Sequence, residues 1–322
     1  MQKKIFKNER RIMAIFTIKK ASHRLFFLLL ITLICLILFS FISSILPISH
    51  GVDSLGNVYD NLGNPEVIKY LKITQILMAI GLFFFPPVIL SLLSGENMLQ
   101  SFYMGKKIKL KNFLVCLVLM IISLPVINLL AEWNNKMSLP AALDFLETYM
   151  RQMEDSAEQL TEAFLKMNGL TDLMINLFMM ALLPALGEEL LFRATLQPII
   201  YKMTGKPILS IWITAFVFSF IHFQFFGFFP RFLIGALLGY LFYWSSNIWY
   251  PVLAHFTNNA LAIVGMYLYN HKMIAFSPDE PGTGESGIWF FIITLPLIIL
   301  GILAFYRIQT SQSPSLDKEI RD

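Results

Sequence analysis

Six polar residues carry the chemistry open to this sequence: Glu188, Glu189 and Arg193 in one apolar run, His222 in a second, and His255 with Asn259 in a third. A carboxylate in a low-dielectric pocket suits a general base. An imidazole beside it can hold a water or share its proton, so Glu188 and His222 are the expected water-activating pair. His255 and Asn259 lie one helical turn apart and can both donate to the negative oxygen of a tetrahedral intermediate. No GxSxG is present, and Cys35 and Cys116 lie outside these runs, so direct attack by water is preferred to a covalent intermediate.

Helix geometry divides the three charges. Residues four apart lie ~40° apart around the axis, so Glu189 and Arg193 share a face and can neutralise each other. Glu188 points ~100° away, toward other helices, and is the unmatched acid. A mid-span charge costs roughly 2.5–3.5 kcal/mol, so three unpaired charges would cost on the order of 8–10 kcal/mol. Structural readings exist for each residue alone: Glu189 with Arg193 as a helix-orienting pair, either histidine as an interhelical hydrogen-bonder, Asn259 as helix glue. One reaction accounts for all of them together.

Metal is the alternative chemistry. Glu188, His222 and His255 could bind zinc with water as fourth ligand, yet the HExxH helix is absent and Asn is a poor zinc ligand. The preferred reading therefore requires no cofactor, and zinc on those three residues is kept beside it.

The elements that must position these groups are membrane helices. Of 322 residues, 56% are apolar and only 14% charged, with 30 Phe and mean hydropathy +0.64, whereas soluble domains carry ~25% charged residues. An ordinary water-soluble globule is excluded. A spanning helix needs ~20 apolar residues, and eight such runs occur, at about 25–46, 73–94, 113–131, 172–200, 207–226, 229–245, 248–269 and 288–306. The first is too long for a signal-peptide core and lacks a clear small-x-small cleavage site, so it is read as a retained span. The expected fold is an all-α polytopic bundle of about eight transmembrane helices.

Net charge is +4, but where the charges lie matters more than their sum. Segments 1–24, 95–112, 201–206 and 307–322 hold 17 Lys/Arg against 5 acids; segments 48–72, 132–172, 227–231 and 270–287 hold 7 against 14. Basic loops face the cytoplasm. Both termini are therefore expected there, in a bacterial inner membrane or the endoplasmic reticulum. The expected divisions are a basic N-terminus (1–24), a three-span region (25–131), an extracytoplasmic amphipathic helix (132–170), a four-span core (171–269), an outer loop with the last span (270–306) and a polar tail (307–322).

Within 132–170, Leu143, Leu146, Met150, Met153, Ala157, Leu160 and Phe164 recur at steps of three and four, a helical seam. Glu147 with Arg151 and Glu162 with Lys166 add i,i+4 pairs on its wet faces. The seam predicts a lid, or a helix packed on its own protein or on a dimer mate. Gly235 and Gly239 form a GxxxG that predicts close helix packing. Cys35 and Cys116 fall in separate spans and predict no disulfide.

Glu188-Glu189-x-x-x-Arg193, then Phe218-x-x-x-His222, then His255-x-x-x-Asn259, resembles the EExxxR, FxxxH and HxxxN motifs of the CPBP (CAAX protease and bacteriocin-processing, Abi) family of intramembrane endopeptidases. The resemblance covers residues ~170–265. It implies a peptidase in which Glu188 and His222 activate water, His255 and Asn259 stabilise the oxyanion, and Glu189 with Arg193 supports them. The implied partners are membrane lipid and a peptide or protein substrate that is prenylated in some relatives and unmodified in others. Nucleic acid is not among them, and a homodimer is left open. Two other classes compete: a non-catalytic membrane scaffold or bacteriocin immunity protein keeping the motif as a polar core, and a proton-coupled transporter.

Overall fold

A computed structural model describes residue 18 and residues 20–49 and 61–310. Most of the basic N-terminal segment and of the polar tail lies outside the described residues. Among the described residues the chain is helical throughout, with no strand. The helices are α1 (Ala21–Ser49), α2 (Pro65–Leu93), α3 (Leu110–Asn135), α4 (Asp144–Leu165), α5 (Leu170–Thr204), α6 (Pro207–Phe220), α7 (Phe228–Ser245), α8 (Trp249–Asn270) and α9 (Gly287–Thr310).

Their ends follow from local chemistry. Asn64 accepts the Glu66 N–H at 3.0 Å, and Pro65 opens α2 where no N–H is needed. Gly205, at φ 66°, ends α5 in the left-handed conformation that glycine tolerates, and Pro207 starts α6 two residues later.

Prolines also set the winding inside the helices. Ile80–Phe84 of α2 and Leu177–Leu182 and Leu190–Leu196 of α5 are π-helical. Each stops two residues before a proline: Pro86, Pro184 and Pro198. A proline lacks an N–H and crowds the carbonyl four residues back; one extra residue in the preceding turn relieves both. The segment Leu183–Glu189, which ends in the two glutamates, is thus held between two widened turns.

Among the described residues six helices are long and apolar enough to cross a bilayer, including α1, α2, α3, α5 and α9. Large apolar side chains on α1 and α9 face outward, with Ile37 and Ile293 each 63% exposed, as a lipid solvent allows. The chain is an integral multi-pass membrane protein. Two of the eight expected spans differ. The fifth, α6, is only 14 residues and stops at Phe220, and α8, though 22 residues long, is diluted by His255, Thr257, Asn258 and Asn259.

Packing sets α1, α2, α6, α7 and α8 against α5, while α3 and α9 pack on each other and α3 also on α7 and α8. An added Cβ on Gly187 would lie 2.5 Å from the Phe84 ring, so the π segment of α2 presses on α5 directly beside Glu188. Gly235 and Gly239 bring α7 against α6, where added Cβ atoms would meet Ala215 Cα at 3.3 Å and Ile211 Cγ2 at 2.9 Å. The GxxxG is a close-packing device, as its spacing suggests. Cys35 and Cys116 are both buried free thiols.

Helix α4 forms as its seam predicts, but unevenly. Ala163 and Phe164 are buried, Met150 and Met153 partly so, while Leu143, Leu146, Phe145 and Tyr149 stay exposed. Arg151 pairs with Glu147 at 2.8 Å. No Glu162–Lys166 ion pair forms among the described residues, because Lys166 has already left the helix at ψ 79°.

Candidate active site

Glu188, Glu189 and Arg193 are 6%, 0% and 0% exposed in the middle of α5. Glu189 Oε1 accepts from Arg193 Nη1 at 2.9 Å, the expected pair on one face. The same oxygen accepts from His255 Nδ1 of α8 at 2.8 Å. That bond was not legible in the spacing, which assigned His255 to the oxyanion alone. A carboxylate oxygen only accepts, so Nδ1 carries the hydrogen and Nε2 is turned the other way. Nε2 lies 3.9 Å from Glu188 Oε2, too long for a hydrogen bond. Glu188 Oε2 is buried without a hydrogen-bond partner among the described residues.

Arg193 is anchored through both terminal nitrogens, while its Nε is buried without a partner among the described residues. Its Nη2 donates to Gly235 O at 3.0 Å, and its Cζ stands 4.5 Å over the Phe218 ring. One turn on, Gln197 Nε2 donates to Gly239 O at 3.2 Å. The missing side chains of the GxxxG thus open two α7 carbonyls to two α5 donors four residues apart. A helix carbonyl already bonded within its helix retains a second lone pair for such contacts.

The other imidazole departs from expectation. His222 lies beyond the end of α6, in a turn followed by Phe223 at φ 53°, rather than inside a span. Its Nδ1 bonds Phe218 O at 2.7 Å. The Phe218 ring touches both imidazoles edge-on, at centroid separations of 5.2 Å to His222 and 5.9 Å to His255. The four-residue spacing of Phe218 and His222 therefore does structural work here: Phe218 is the common wall of both rings.

Asn259 Nδ2 donates to Met180 O at 3.1 Å, and its Oδ1 accepts from Asn258 Nδ2 at 3.1 Å. Met180 is four residues before Pro184, so its carbonyl has no α-helical N–H to receive. Asn259 fills that gap across the α5–α8 interface. Its second N–H stays open to a ligand.

Arg231, in the first turn of α7, is not among the six residues that the motifs select. Its Nη2 donates to Gln224 Oε1 at 2.7 Å, and its charge acts on Glu188, His222 and Glu154. Gly227 leaves room for it, since an added Cβ would stand 3.3 Å from Nη2. The available signal was that Arg231 is the one further cation in the apolar runs of 172–269. Above it, Glu154 of α4 accepts the Phe226 N–H at 3.2 Å and Arg151 covers the Phe226 ring at 4.0 Å. Burial pushes the Glu154 carboxyl above the usual carboxylate range, against the pull of the Phe226 N–H and of Arg231.

Among the described residues no group of three or more His, Cys, Asp or Glu is placed to hold a metal ion. His255 Nδ1 is committed to Glu189 and His222 Nδ1 to Phe218 O. Both bonds leave Nε2 free, as the outer hydrogen bond of a metal-bound imidazole also does; no step below runs through a metal.

Residues 170–261 match the family model for the Rce1-like type II CAAX prenyl endopeptidases. A stretch of 101 residues is 34% identical to the sporulation-killing factor biosynthesis protein SkfC of Bacillus subtilis (strain 168), covering 29% of this chain and 20% of SkfC. A stretch of 90 residues is 30% identical to the uncharacterized protein YpbD of the same organism, covering 27% of this chain and 43% of YpbD. The matches thus span less than half of either relative. No solved structure matches the chain. Over residues 170–261, which hold all six motif residues, the chain carries an Rce1-like segment.

Proposed function

We propose that the protein is an intramembrane endopeptidase in which Glu188 is the general base. The observation that carries this reading is the pairing of a buried Glu188, one oxygen unclaimed, with a His255 whose other nitrogen is pinned by Glu189. Glu188 takes a proton from water as it attacks the scissile carbonyl, and His222 holds that water from the facing turn. Charge then develops on the carbonyl oxygen. The open N–H of Asn259 and a protonated His255 Nε2 donate to it. With Glu189 balanced by Arg193, the proton shared between Glu188 and His255 leaves the cluster neutral in either location, which a low-dielectric site favours. The proton then passes to the leaving amine.

The likeness to a killing-factor biosynthesis protein and to CAAX endopeptidases directs the substrate search to short peptides and protein tails, lipidated or not. The loop charges support both termini on the cytoplasmic side. Incubation of purified protein with prenylated and unmodified tail peptides, read by mass spectrometry, tests the activity. Metal content and chelator response on the same sample test the cofactor reading: inhibition restored by added zinc, with stoichiometric metal, would overturn metal-free catalysis. A non-catalytic polar core is the second reading, favoured by the Asn259–Met180 and His222–Phe218 bonds, which need no substrate. Full cellular function of a Glu188→Gln variant would select it.

A further inference from the structure

A cavity of about 440 Å³ lies along α5 beyond Arg193, and neither Glu188 nor either imidazole lines it. It is bounded by the start of α1, the end of α2, the loop 95–103 and the last turns of α5. Its lining joins apolar Pro87, Leu90, Phe102 and Ile199 to Arg24, Lys202 and a majority of polar surface. Both cations stand within a few residues of the ends of apolar runs, the level of the headgroups in a bilayer.

The donors here exceed the acceptors. Glu96 binds Arg24 through both of its oxygens, Oε2 standing 2.9 Å from Nη2, and Oε2 also accepts from Ser101 at 2.8 Å. One carboxylate therefore faces two cations, since the Lys202 ammonium also acts on Glu96. Arg24 Nε remains without a partner, as does the Oγ of Ser91, a wall residue only 1% exposed. Buried polar atoms are normally satisfied. Unmet donors beside a surplus positive charge call for an anion with several acceptor oxygens.

We propose that this cavity binds a phosphate group at the membrane interface, that of an anionic phospholipid. Basic pockets between membrane helices take headgroups in this way. The volume exceeds what a bare phosphate fills; the polar lining suits the phosphate and glycerol, and Pro87, Leu90, Phe102 and Ile199 suit the first acyl carbons. The residues that hold it adjoin Ala194 and Thr195, directly after Arg193, so occupancy also clamps the second π segment of α5.

The test is full-length protein in nanodiscs titrated with phosphatidylglycerol, phosphatidylcholine or inorganic phosphate, with bound lipid read by native mass spectrometry. Wild type should retain phosphatidylglycerol over phosphatidylcholine. Lys202→Gln should reduce that preference about fivefold, the effect of one basic group beside an anionic headgroup. Ser91→Ala should reduce it too, Lys202→Arg should restore it, and Lys107→Gln, an exposed lysine outside the cavity, should leave it unchanged. Equal retention of the two lipids, or a preference indifferent to Lys202, overturns the site. Inorganic phosphate displacing the lipid at millimolar concentration, with phosphatidylglycerol no better than phosphatidylcholine, overturns the lipid source.

Discussion

Two neighbouring glutamates should respond unequally to the same substitution. Glu189 Oε1 receives both Arg193 Nη1 and His255 Nδ1, and all three side chains are 7% exposed or less. Glu189→Gln removes the charge that balances Arg193 and turns one acceptor oxygen into a donor. Breaking a buried ion pair costs about 3–5 kcal/mol. The Gly235 carbonyl and the Phe218 ring still hold the guanidinium, which places the loss near 3 kcal/mol, or a fall in Tm of roughly 6–12 °C by the scaling for domains of 150–250 residues. Glu188→Gln should shift Tm by less than about 2 °C, the equivalent of under about 1 kcal/mol, because Glu188 Oε2 has no hydrogen bond to lose. Thermal unfolding in one detergent reads both. A Glu189→Gln variant that melts with wild type, or two variants with equal losses, refutes the division of labour. The double variant Glu189→Gln/Arg193→Gln should lose less than the sum of its parts, since no charge is then stranded.

Further expectations follow from the helix contacts. Asn259→Ala should cost about 1 kcal/mol, typical of interhelical hydrogen bonds in membranes, and less in a Pro184→Ala background, where a restored N–H can serve Met180 O; equal costs in the two backgrounds would deny that link. Gly239→Ala should cost about 1–3 kcal/mol by overpacking, since the new Cβ would lie 2.9 Å from Ile211 Cγ2; unchanged unfolding would contradict the close α6–α7 approach. The docking of α4 should depend on pH from two sides. The Leu139 N–H and Arg151 hold Glu147 below the usual carboxylate range, so its contribution is present above the unfolded value and lost as pH falls through the folded one. Glu154 is raised, so its docked form is favoured at low pH and loses stability as pH climbs through the elevated folded value. Hydrogen exchange across 144–165 should show Glu154→Gln abolishing the second loss only; a Glu154→Gln profile identical to wild type would sink that assignment.

Much of the architecture was legible because membrane helices announce themselves by length and apolarity: α1, α2, α3, α5 and α9 all coincide with expected spans. The Glu189–Arg193 pair followed from helical spacing alone, and so did the packing at Gly235 and Gly239. What spacing could not supply was tertiary direction. Glu189 reaches His255 across 66 positions, and nothing local distinguishes that partner from Glu188. His222 was misplaced inside a span because Ile221, Phe223, Phe225 and Phe226 extend the apolar run beyond the helix itself; hydropathy does not mark where a backbone turns. Arg231 is outside the motifs for a related reason, since a cation near a span end reads as an interfacial anchor, and only the structure shows it reaching back to Gln224. The prolines were visible, but their effect needed the helix: Pro184 frees Met180 O, and only the arrival of α8 shows that Asn259 takes it.

The account rests on Glu188 as the base that activates water. The most direct measurement is single-turnover cleavage of one tail peptide by wild-type protein and by Glu188→Gln, with both samples shown to melt together. Loss of a general base predicts a rate lower by about 10²–10⁴-fold with the fold intact. Cleavage by Glu188→Gln at the wild-type rate would contradict the mechanism and return these buried groups to a structural role.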